Sequence, residues 1–219
     1  KGLYKINNLE WKDGALKYDN RFETRVKGLD YNHISLSDIN IDIDSLAYLD
    51  PRLSLKLQAC SFKEKSGINV KELCGSVALD STHIDIPDLR LMTTESSMRA
   101  SIAMDMTAFD DKNPGKMKVS ANGAFGKQDI MLFMGGMPAD FVRRWPNYPL
   151  TINTVMTGNM KNLDITGLDI NLPTAFKIRA NGTARNISDI DRLIANVDLD
   201  ATTYNINFLT ALLPPSAMD

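Results

Sequence analysis

Two histidines, two cysteines and a cluster of aspartates are the side chains of this sequence best suited to chemistry. A histidine beside a nucleophile is a general base, and a pair of histidines can also ligate a metal. The candidates are His33 and His83. The run from Asp38 through Asn40, Asp42 and Asp44 looks superficially like a calcium loop, but the loop glycine and terminal glutamate of an EF-hand are missing. Alternation instead sets Asn40, Asp42 and Asp44 on one strand face, away from Ile39, Ile41 and Ile43, as a solvated surface that also discourages edge pairing. Cys60 and Cys74 flank the turn Lys65-Ser66-Gly67 almost symmetrically, so a hairpin could set them face to face, and a slip of one residue would forbid it. Two cysteines cannot make a disulfide framework or a multi-cysteine metal knuckle. Phosphate-loop, dinucleotide, nucleophile-elbow and zinc-protease strings are absent, and Gly135-Gly136 reads as a helix stop. The expectation is a protein that is not an enzyme, with no catalytic residue, no metal and no cofactor.

The elements that position these side chains are repeated, which changes their meaning. The string from Leu29 to Ile41 matches the string from Leu79 to Leu91 without a gap at an offset of 50. His33 falls on His83, Ile34 on Ile84, Leu36 on Ile86 and Asp38 on Asp88. A third copy starts at Leu163: Leu163, Ile165, Leu168 and Ile170 fall on Ile84, Ile86, Leu89 and Leu91 at an offset of 79. The histidines therefore fill one structural slot twice, and the third copy has Asn162 there.

Each copy has two apolar residues two apart, a three-residue step, then two more. Period-two alternation is a strand with one buried face. The three-residue step flips the phase, so Ser37-Asp38, Pro87-Asp88 and Thr166-Gly167 mark bulges or tight corners. The same flip in every copy predicts a curved sheet. Alternation continues through Leu53–Ala59, Val77–Leu79, Ala100–Met106, Met117–Ala121, Ile152–Met156, Phe176–Ala180 and Val197–Ala201. Turn clusters at Asp19-Asn20, Lys65-Ser66-Gly67, Asp110–Gly115 and Asn122-Gly123 separate the runs. The pattern predicts a mainly β antiparallel meander of about a dozen strands. Lys127–Met134 and the stretch from Pro138 to Trp145 have helical spacing, giving a helical insertion over 127–146. Asn205–Leu213 is a third short helix by the same reading.

The bulk numbers agree with a folded β protein. The chain has 219 residues, long enough for a sizeable core, and 43% of them are hydrophobic. A net charge of −2 leaves no footprint for nucleic acid. No run of about eighteen apolar residues occurs, so nothing here reads as a spanning helix. The opening Lys1-Gly2, without Met, reads as an excised segment whose targeting or anchoring parts lie elsewhere.

The strings Val77-Ala78-Leu79-Asp80 through Ile86–Leu91, and Gly158 through Leu168–Pro173, resemble the TamB and AsmA-like proteins of the Gram-negative envelope. The helical insertion and Pro146–Leu150 favour the TamB-like branch. The likeness runs from about Val26 to Leu213, and the first 25 residues fit it poorly. It implies a long curled sheet, or β-taco, with an apolar concave face. It further implies a periplasmic location, tethered to the inner membrane through other parts of the chain. The implied role is outer-membrane biogenesis, including phospholipid movement and assembly of outer-membrane proteins, with an outer-membrane barrel partner or client strands. The whole of 1–219 would be one repeated length of groove. An oxidising periplasm would also permit a Cys60–Cys74 disulfide.

The resemblance implies a groove for phospholipid acyl chains; the residues by themselves fit an open groove and a closed core equally. Its candidate lining is Ile34, Leu36, Ile39 and Ile41; Ile84, Ile86, Leu89 and Leu91; Met104; Leu163, Ile165, Leu168 and Ile170; and Ile178. A sandwich would bury the same residues under a second sheet. Adaptable methionines beside the strands suit irregular apolar guests. In the insertion, Ile130, Phe133, Met134 and Phe141 either form a lid over the groove or belong to a plain helix covering one end of a sheet. Two other readings compete with lipid carriage: a β scaffold that binds client strands along its edge, and an adhesive or carbohydrate-binding domain. The second is disfavoured by 7% aromatic residues and by the distance in sequence between Trp11 and Trp145.

Overall fold

The computed structural model describes residues 2–110 and 112–205. The expected helix over Asn205–Leu213 lies outside them, apart from its first residue. Eleven strands among the described residues form one antiparallel sheet in strict sequence order. They are β1 (Tyr4–Lys17), β2 (Ser35–Leu49), β3 (Arg52–Glu64), β4 (Asn69–Leu79), β5 (His83–Thr93), β6 (Ser97–Asp105), β7 (Met117–Phe125), β8 (Leu150–Asn159), β9 (Asn162–Leu172), β10 (Phe176–Arg185) and β11 (Ile194–Thr203). Between β7 and β8 lie two short helices, α1 (Lys127–Phe133) and α2 (Ala139–Arg144). Extensive strand contacts run only between neighbours in this order. The sheet is open, and no second sheet is packed on it among the described residues.

The phase flips are real bulges. The register slips between Ser37 and Asn40 on β2, where Asp38 has φ of 53°. It slips between Ile86 and Leu89 on β5, and around Thr166-Gly167 on β9, where Val155 faces Gly167 and Met156 faces Ile165. One glycine shows what a bulge demands of its neighbour. Gly75 on β4 has φ of 150°, and a Cβ there would lie 2.4 Å from the Asp88 carbonyl oxygen. Only glycine tolerates both the backbone conformation and that approach.

Two local expectations need correction. Asn122-Gly123 is not a turn: both lie inside β7, where Gly123 pairs with Met98 and Ile152. A turn signal loses to cross-strand pairing on both sides, and the missing side chain leaves room for the Ser97 carbonyl oxygen, 2.8 Å from where a Cβ would be. Pro138 is the N-cap of α2 and not its first helical residue. The two histidines of the shared slot also differ in place: His33 sits in the turn before β2, whereas His83 opens β5.

Candidate functional site

Cross-strand register sorts every strand into two faces, because directly opposed residues point to the same side. Ile84 faces Leu79 and Met104, and Met104 faces Met117. Ile86 faces Ile102, which faces Val119, which faces Met156, which faces Ile165. Leu91 faces Leu73 and Met98, while Leu168 and Ile170 face Ala180 and Ile178. Toward the other edge, Ile41 faces Cys60 and Trp11, and Leu36 faces Leu16. Leu89 and Leu163 join the same side through Ala100 and Ala184, and Ile39 through its pairing with Gly14. Ile34 stands one residue before β2. One continuous apolar surface thus runs from β1 to β11, and it gathers the predicted groove residues of the strands. Ten strand spacings make it about 48 Å long.

This side is also the more enclosed one. Alanine is a fair probe, since it is too small to reach out or fold back. Away from the edge strand β11, where Ala195 and Ala201 are exposed, Ala100, Ala180 and Ala184 on the apolar side are 9%, 5% and 9% exposed, while on the polar side Ala59, Ala78 and Ala103 are exposed and Ala47 and Ala124 half-buried. Most of the larger apolar side chains are half-buried without any layer over them.

The helical insertion covers one lip of that surface. Phe141 and Trp145 pack edge to face at 5.4 Å and rest with Ile130 on Leu172 and Ala175, flanked by Phe125, Leu150 and Phe176. α1 is pinned by Asp129, which accepts hydrogen bonds from the hydroxyls of Thr93 and Ser96, each at 2.5 Å. Lys127 Nζ donates to the Trp145 carbonyl at 2.8 Å and ties the two helices together. The far end of α1 meets the long connection after β1, where the Leu29 amide donates to the Leu132 carbonyl at 2.9 Å. Of the four predicted lid residues, Ile130 and Phe141 are buried against the sheet, whereas Phe133 and Met134 are 60% and 39% exposed. The insertion is a cap on one lip of the apolar side.

The cysteines and histidines do not converge. Cys60 faces Leu73 on the apolar side, and Cys74 faces Arg90 on the polar side. The possible disulfide is not formed, and both cysteines are free thiols. A bulge near Gln58-Ala59 shifts the hairpin register enough to separate them. Burial pushes both thiols up in pKa, which keeps them protonated and unreactive at neutral pH. His33 and His83 lie at opposite lips, each held by nearby acidic and hydroxyl groups.

Sequence reasoning missed the apolar row of β1: Tyr4, Ile6, Leu9, Trp11 and Leu16. Two positive-φ residues, Asn8 at 62° and Asp13 at 54°, break its alternation. The same three-residue step that marks the repeats was the available signal. It also missed the Thr93–Ser96–Asp129 pin, whose partners lie more than thirty residues apart and follow no local pattern. No helix among the described residues is long and apolar enough to cross a membrane. Comparison with models of known families, with curated proteins and with solved structures gave no match to this chain.

Proposed function

We propose that the apolar side of the sheet is a groove that holds or conducts phospholipid acyl chains, as one segment of an envelope-biogenesis protein. The single observation that carries the reading is a continuous apolar surface from β1 to β11, half-buried and without a covering layer. Exposed apolar surface of this extent on a soluble segment calls for an occupant. Each buried methylene contributes roughly 0.8 kcal/mol, so a tail of a dozen methylenes offers on the order of 10 kcal/mol before ordering costs. An acyl chain is flexible and featureless, which suits a surface of Ile, Leu and Met with few polar atoms. The cap over one lip would shelter the tail there. The periplasmic setting, the tether to the inner membrane and the link to outer-membrane assembly rest on the resemblance to TamB and AsmA-like proteins.

The test is quenching of Trp11, which lies on the apolar side, by phospholipid with brominated tails. Saturable quenching is expected, and Ile102→Asp, in the middle of the surface, should abolish it without loss of β circular dichroism. Ser101→Asp, on the polar side, should leave it intact. Absence of quenching at any lipid concentration below aggregation, together with no co-purified lipid by native mass spectrometry, sinks the reading.

A second reading has its own observation. β11 pairs with β10 through ten residues without a bulge and contains neither Lys nor Pro, so its outer edge is flat and has no strand partner among the described residues, with Asp198 and Asp200 as its charges. Such an edge accepts an added strand. A labelled extended peptide with alternating apolar residues should bind there, and Leu199→Pro should remove the binding.

A further inference from the structure

The polar side of the sheet has a feature that lipid carriage does not use. Arg90 on β5 and Arg99 on β6 are direct cross-strand partners. Like charges set opposite one another disfavour pairing, so this arrangement works against the fold unless something offsets it. Arg90 is partly offset by Asp88, whose Oδ2 accepts from its guanidinium at 3.1 Å. Arg99 is exposed and makes no ion pair among the described residues. Directly across from it come Asn122 on β7 and then Asn153 on β8, two exposed amides whose side chains make no hydrogen bond among the described residues. One row nearer the cap, Ser97, Ala124 and Thr151 are short, and they leave a trough beside the taller arginine and asparagine side chains. The resulting cleft has a volume of about 840 Å³.

We infer that this cleft is a phosphate-binding site, with Arg99 as its principal ligand and Arg90, Asn122 and Asn153 as flanking donors. A guanidinium offers a planar fork that matches two phosphate oxygens, and the amides add neutral donors at strand spacing. A dianion between the two arginines turns their repulsion into a shared attraction. Acidic groups stand only at the ends of the cleft: Glu72 at one, and at the other Asp169, already held by Arg179 at 3.2 Å. The backbone of the sheet separates this cleft from the apolar side. A phospholipid whose tails lie in the groove cannot also place its headgroup here, so the phosphate comes from a soluble ester, from free phosphate, or from the surface of a separate bilayer.

The experiment measures thermal unfolding of the whole chain at fixed ionic strength while inorganic phosphate, glycerol phosphate or chloride is varied. Saturable stabilisation by the phosphates and not by chloride is expected. Arg99→Gln should weaken it at least about tenfold, and Arg99→Lys should recover only part, since Lys lacks the fork. Vesicles of phosphatidylglycerol in phosphatidylcholine form a second arm. Flotation that depends on Arg99 assigns a bilayer headgroup, and stabilisation by the soluble esters without flotation assigns a soluble ligand. Equal responses to phosphate and chloride, or an undiminished response in Arg99→Gln, would overturn the site. Ile102→Asp, which empties the proposed groove, should leave phosphate binding unchanged, so failure of either idea is visible apart from the other.

Discussion

The first two copies of the repeat begin with the same turn and end in opposite surroundings. In each, an aspartate three residues before the histidine organises the turn. Asp30 accepts from the Val26 and Asn32 amides at 3.0 and 3.1 Å, and Asp80 accepts from the Thr82 amide and hydroxyl, both at 2.7 Å, and from the His83 amide at 2.9 Å. Yet His33 is only 4% exposed, with Nδ1 2.9 Å from Asp30 and Nε2 3.7 Å from Asp19. The His83 side chain is 67% exposed, with Nε2 2.8 Å from Asp105. The cause is topological. An offset of 50 residues spans three strands, an odd number, so the second copy runs opposite to the first and its turn lands on the other lip. One lip carries the cap and the long connection after β1. The other is open. A closely similar local code therefore yields a buried polar cluster in one place and a surface turn in the other.

The largest expected effect breaks the second copy at its bulge. Gly75→Ala should destabilise the chain by on the order of 3 kcal/mol, because it adds a clash with the Asp88 carbonyl to a strained backbone. Urea unfolding measures it, and a loss below about 0.5 kcal/mol would mean that the bulge relaxes freely. The next effect tests the contrast itself. His33→Ala removes a buried partner and should cost about 2 kcal/mol, whereas His83→Ala should cost under about 0.5 kcal/mol. Equal losses would mean that the cap does not seal the first turn.

Acid titration sharpens the comparison further. The Val26 amide, chiefly, holds the Asp30 carboxyl below its ordinary range, and the Thr82 hydroxyl, chiefly, holds Asp80 down to about 2. A depressed carboxylate stabilises the fold above its unfolded value near 3.9, and that contribution is lost as pH falls through the folded value. For Asp80 the window is about pH 4 down to about 2. Asp30→Asn and Asp80→Asn should each flatten the fall in stability with acid, seen as a smaller shift in thermal midpoint between pH 5 and pH 3. A steeper fall in either variant would contradict the sign. The smallest effect is at the first bulge: Asp38→Gly should change stability by no more than a few tenths of a kcal/mol, since glycine readily adopts the φ of 53° found there.

Much of this architecture was legible because its signals are local. Alternation assigns Ile84, Ile86, Leu89 and Leu91 to one side, and the three-residue step locates the Pro87-Asp88 bulge, since a side chain's face depends only on its own strand. The turn at Asp30 and its copy at Asp80 are likewise short-range chemistry. Gly135-Gly136 ends its helix for the same reason.

Other features needed the third dimension. Whether Cys60 meets Cys74 depends on register summed along a hairpin, and one bulge moves the pair to opposite faces. Whether His33 is buried depends on which lip its turn reaches, a matter of counting strands. The cap forms because Asp129 finds Thr93 and Ser96 from across the chain, and the Arg90–Arg99 opposition exists only once β5 and β6 are paired. Local residue patterns set most of the strands after β1, their sequential pairing, their apolar faces and the points where they kink. Which residues meet in register, which lip is capped and which charges stand opposed emerge only on folding, because those follow from non-local pairing whose register no single segment encodes.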